Sequence, residues 1–102
     1  MRGVRQARQA RASIAELRKR INQCENRKKH LHAHLQGLKN QWQDNRLTYT
    51  EYEEFLNKKH SGKSIHEWFA HYEEYIERCK EQIKNHEKIL LQSNTYIISI
   101  IT

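Results

Sequence analysis

A single stripe of side chains constrains this chain more than anything else in it. Ile14, Leu17, Ile21, Cys24, Leu31, Leu35, Leu38 and Trp42 come at alternating steps of three and four, once Lys28 is counted in its place between Cys24 and Leu31. That alternation stacks the side chains along one narrow face of a helix. No proline interrupts the run. A long helix with so narrow an apolar face draws its stability from packing, so it requires a partner helix.

The partner lies in the second half. Phe69, Tyr72, Ile76, Cys79, Ile83, His86 and Leu90 repeat the same steps, and Ile65, Trp68 and Tyr75 widen the stripe near its start. Three pairs with capping-box spacing, Ser13/Glu16, Thr48/Glu51 and Ser64/Glu67, mark helix starts. The spacing predicts helices over about 13–43, 49–59 and 65–92. If the residues before Ser13 are helical too, Ser13 is an interior residue. Asp44 to Thr48 and His60 to Lys63 supply the turns, with Gly62 suited to a left-handed conformation. The expected fold class is all-α: an antiparallel coiled-coil helical hairpin of two long helices with a short connecting helix.

In that hairpin Leu38 is expected to face Phe69, Leu31 to face Ile76 and Cys24 to face Ile83, within a turn. Lys28 then lies near Cys79, with Glu77 or Glu81 in reach of its amine. One polar residue in a seam sets register at some cost in stability. Gly37 weakens the first helix by around 1 kcal/mol relative to Ala and marks a place where the partner backbone could approach. Trp42, Tyr52, Phe55, Trp68, Phe69 and Tyr72 are expected to form a small core at the connected end. The competing reading of these rings is a groove for a peptide or a nucleobase.

Composition agrees with thin packing. Of 102 residues, 36% are hydrophobic and 30% charged, which suits helices sharing one seam rather than a core of several layers. Three glycines and no proline are too few turn formers for an all-β chain. Cys24 and Cys79 both fall on seam positions and read as structural thiols in a reducing compartment. A bridge between them requires one particular register.

Charge is unevenly distributed. The formal net charge is +7, yet residues 1–43 hold eleven Lys/Arg against Glu16 and Glu25 alone. A basic N-terminal arm, residues 1–12, places Arg2, Arg5, Arg8 and Arg11 at every third position. It reads either as a solvated extension or as a grip on phosphate of RNA, DNA or lipid. The candidates for contact with nucleic acid or an anionic membrane surface are Arg2, Arg5, Arg8, Arg11, Arg18, Lys19, Arg20, Arg27, Lys28 and Lys29. No aromatic residue lies among the arm's arginines, so contact there would be phosphate-led and weakly specific. The two readings part over residues 18–20 and 27–29. Pairing with Glu73, Glu74, Glu77 and Glu81 would consume the charge, whereas an outward orientation would leave it available.

No charge comes after Lys88. In residues 93–102, Tyr96, Ile97, Ile98, Ile100 and Ile101 are candidates for contact with a partner or a membrane. The segment reads as the start of a membrane span, as the apolar end of the third helix packed on Val4 and Ile14 or on a second copy, or as a β-prone tail. His30 and His34 have the four-residue spacing of helical metal ligands, but neither a carboxylate nor a cysteine nearby completes a shell. A nucleophile elbow and a glycine-rich phosphate loop are both lacking. The expected function is therefore a non-enzymatic helical interaction or structural module, with no cofactor and no small-molecule substrate. Its partner would be another protein or a second copy of itself, and the alternative is nucleic-acid binding through the basic first helix.

One stretch carries a family likeness. Leu47 to Ile83, LTYTEYEEFLNKKHSGKSIHEWFAHYEEYIERCKEQI, resembles the N-terminal helical segments of uncharacterised archaeal membrane-associated proteins. The shared pattern is an acidic-aromatic helix, a short glycine-containing turn, then a Glu-Trp and a tyrosine-rich helix. The resemblance implies a cytoplasmic helical module at the inner face of a membrane, ahead of an anchor. This chain departs from it in that its apolar run is far shorter than the roughly 20 residues of a span.

Overall fold

A computed structural model describes the backbone of residues 2–101 and the side chains of residues 4–92. It contains α1 (Arg2–Gln43), α2 (Tyr49–Asn57) and α3 (Ile65–Ile101). The long helices α1 and α3 run antiparallel and pack on each other, with α2 in the connection, so the chain is an all-α helical hairpin.

α1 does not start at Ser13. It begins at Arg2 and passes through Ser13 without a break. The reason lies in two alanines. Ala10 is 2% exposed and Ala7 half-buried, and both continue the three-four stripe toward the N-terminus. Alanine, arginine and glutamine are strong helix formers, so the stretch before Ser13 needs no cap there. At its other end α1 closes in a left-handed turn. Asn45 takes φ 61°, the Arg46 N–H donates to the Gln41 carbonyl at 2.8 Å and the Asn45 N–H to that of Trp42 at 3.1 Å. This is the Schellman arrangement, with asparagine in the place glycine usually takes.

α2 opens on a complete capping box. The Glu51 N–H donates to Thr48 Oγ1, and the Thr48 N–H to Glu51 Oε1, both at 3.1 Å. It ends at Asn57, two residues before the expected boundary, because Lys58 turns extended and donates its N–H to the Glu54 carbonyl. His60 and Lys63 then pair across Ser61 (φ 51°) and Gly62 (φ 85°), a tight turn that needs positive φ at both central residues. Trp68 secures the turn. Its indole Nε1–H donates to the His60 carbonyl at 2.7 Å, and the Lys63 ammonium sits 4.9 Å from its ring centre.

The chain divides into two compact units. The turn unit, Gln23–Glu74, buries Cys24, Leu38 and Ile65. Its aromatic residues do not form one core. Trp42 stacks on Tyr52 at 5.1 Å and meets Tyr49 at 5.5 Å, while Trp68 groups with Tyr72 and His71. Phe55, expected inside, is 42% exposed. The expected register also shifts. Lys28 reaches Glu73 at 3.8 Å, six residues before Cys79, and the Arg27 guanidinium lies over the Tyr72 ring. The displacement is close to one heptad. It arises because the last turns of α1 pack on α2 through Trp42, which leaves α3 to meet α1 further back.

The terminal unit, Met1–Asn22 with Tyr75–Thr102, buries Ala10, Ile14, Leu17, Ile76 and Cys79. Cys24 and Cys79 are buried thiols and form no disulfide.

Gly37 has no atom within 4 Å of the place a Cβ would occupy, so no partner backbone approaches it. Gly37→Ala is therefore expected to stabilise the protein by about 1 kcal/mol through helix propensity alone. A higher urea midpoint at unchanged slope would show this, and a lower midpoint would mean that the glycine is required.

Candidate anionic-surface interface on α1

The stripe of α1 fixes where its basic residues point. With the seam positions facing α3, Arg5, Arg8, Lys19 and Lys29 fall on the opposite face. Arg11 and Arg18 flank the seam on one side, and Arg20 and Arg27 on the other. All eight are exposed, and Lys28, inside the seam, is half-buried. The side chain of Arg2 lies outside the described residues, as do those of Tyr96, Ile97, Ile98, Ile100 and Ile101.

Little of this charge is neutralised across the seam. Arg20 pairs with Glu16 on its own helix at 3.4 Å. Tyr75 chiefly, and Glu16 after it, raise the Arg20 pKa above its ordinary value. Lys28 pairs with Glu73, and Arg27 rests on Tyr72. Glu77 turns instead to Lys80 of its own helix at 3.5 Å. Among the described residues Arg5, Arg8, Arg11, Arg18, Lys19 and Lys29 make no ion pair. The outward orientation thus holds for most of residues 18–20 and 27–29.

Folding concentrates the charge in a way that the linear sequence conceals. The terminal unit contains eleven Lys/Arg against four Asp/Glu, and the turn unit eight against eight. The whole net charge of +7 therefore belongs to the terminal unit. Lys84 and Lys88, exposed on α3, join the arginines of α1 there. Reading by sequence halves places those two lysines with the acidic remainder. Only antiparallel pairing brings them to the basic side.

The other candidates contribute little. His30, His32 and His34 are exposed, and no group of three potential metal ligands exists among the described residues. The concave surfaces are open. One of about 390 Å³ lies between Ser13, Glu16 and Arg20 of α1 and Gln82 and His86 of α3. Another borders α2, lined by Glu51, Glu53, Glu54 and Phe55. Beside it the Glu53 carboxylate chiefly pushes the pKa of the Tyr49 phenol up. Among the described residues no helix is long and apolar enough to cross a membrane.

Fold and surface together define a helical hairpin with one strongly basic unit and one electrically balanced unit. No protein-family model, curated protein or solved structure matches the chain.

Proposed function

We propose that the chain is a non-enzymatic helical interaction module that engages an anionic partner through the basic residues of its terminal unit. The observation that carries this reading is the separation of charge, eleven basic residues against four acidic ones, with Arg5, Arg8, Arg11, Arg18 and Lys19 exposed and outside ion pairs. Such side chains are already solvated, so contact with a polyanion breaks no internal bond and releases counterions. The open concavities also support a role in binding rather than catalysis, since substrate pockets usually enclose most of a ligand. A place at the cytoplasmic face of a membrane belongs to the same reading, as does an acidic protein partner.

A heparin column provides the test. The chain is expected to be retained at physiological salt. The variant Arg8→Gln/Arg11→Gln/Arg18→Gln/Lys19→Gln, with an unchanged far-ultraviolet circular dichroism spectrum, should elute at clearly lower salt. Flow-through of the parent chain at low salt, or equal elution of the two, would overturn the reading.

Phosphate-led nucleic-acid binding is the second reading. It is favoured by the way Arg5, Arg8, Lys19 and Lys29 share the outer face of one unbroken 42-residue helix. Binding to generic RNA or duplex DNA that survives physiological salt, with the steep salt slope of several phosphate contacts, would put this reading first.

A further inference from the structure

We infer that the terminal unit seats its chain-end side on an anionic lipid bilayer, with Arg5, Arg8, Arg11, Lys84 and Lys88 as a basic collar at the headgroups. The inference rests on the proposed anionic partner and names it. Two observations lead to lipid rather than to any other polyanion.

The first is position. Antiparallel pairing sets the start of α1 beside the later turns of α3, where Gln6, Gln9 and Ala10 line one concavity with His86, Ile89 and Gln92. The five collar residues are exposed and make no ion pair among the described residues. Glu87 is the one acidic side chain in the sequence over residues 1–12 and 84–102.

The second is the apolar character of the chain beyond the collar. From Ile89 onward the sequence carries no charge and includes Tyr96, Ile97, Ile98, Ile100 and Ile101, and the α3 backbone continues to Ile101. An RNA or an acidic protein surface offers phosphate or carboxylate but no apolar phase beside it. An anionic bilayer offers both at the same depth order: phosphate first, hydrocarbon beyond. Basic residues next to an apolar segment match that profile, with tyrosine suited to the boundary. The turn unit, with no net charge, adds no comparable attraction.

Vesicle co-sedimentation of the full chain tests this. The probes are vesicles of phosphatidylglycerol mixed with phosphatidylcholine, and vesicles of pure phosphatidylcholine, at physiological salt. The chain is expected to bind the mixed vesicles and not the neutral ones. At roughly a fivefold loss for each basic residue withdrawn, Arg5→Gln/Arg8→Gln/Arg11→Gln should weaken binding on the order of a hundredfold. The charge-matched control Lys39→Gln/Lys58→Gln/Lys59→Gln, in the turn unit, should change it less than about threefold. Equal loss in both variants, equal binding to neutral vesicles, or displacement from mixed vesicles by an equal phosphate concentration of RNA would each overturn the inference. Retention on heparin without vesicle binding would sink the lipid assignment and leave the anionic-partner reading standing. Failure on both would remove the two together.

Discussion

Replacing Ile65 by alanine is expected to lower the thermal midpoint by roughly 10–40 °C. Ile65 is 2% exposed, the least exposed large side chain of the turn unit, and it is the first residue of α3. Removing three buried carbons typically costs about 2–5 kcal/mol, because the cavity closes only in part. In a chain of this size each kcal/mol moves the midpoint by about 4–8 °C. The core is thin, with eight buried apolar residues among those described, so neighbours have little capacity to refill the space. Phe55→Ala is the matched comparison: a larger truncation on a side chain already 42% exposed, expected to cost less than about 1 kcal/mol. Calorimetry on both variants decides the matter. An Ile65 variant that melts within about 4 °C of the parent, or a Phe55 variant that falls further, would mean the core has been placed wrongly.

Lys28→Leu is expected to raise stability by about 1–2 kcal/mol and to loosen register. The side chain occupies a seam position and is 25% exposed, while its partner Glu73 is 62% exposed. At 3.8 Å and this exposure, the ion pair contributes no more than about 1 kcal/mol. A leucine would complete the apolar stripe and gain more by burial than the pair loses. The lysine's value is selective, since it is poorly accommodated by any alignment that places it against an apolar residue. Light scattering should therefore find dimers or larger species in the leucine variant at concentrations where the parent is of a single size. A lower melting point would refute the energetic half, and an unchanged association state the selective half.

Three helices and their order were legible in the three-four stripes and the Thr48/Glu51 pair, because periodicity and caps are local signals. The N-terminal extension of α1 was harder to read, since Ala7 and Ala10 are too small to register as a stripe although they pack as one. The register was out by nearly a heptad because it depends on how much of α1 the connection covers. That is a property of Trp42 meeting Tyr49 and Tyr52, not of either stripe. The basic residues of the candidate surface were visible individually. Their gathering into one unit, with Lys84 and Lys88, needs the fold, because it joins residues from both ends of the chain.

The two buried sulfurs acquire a use from where they fall. Cys24 lies in the turn unit and Cys79 in the terminal unit, at 7% and 3% exposure. A buried thiol reacts with a labelling reagent only when its surroundings open, so the rate of modification measures local opening. Each unit thus carries its own clock. Comparing the two labelling rates in one sample distinguishes a hairpin that opens as a whole from one that unzips in parts, without any introduced probe.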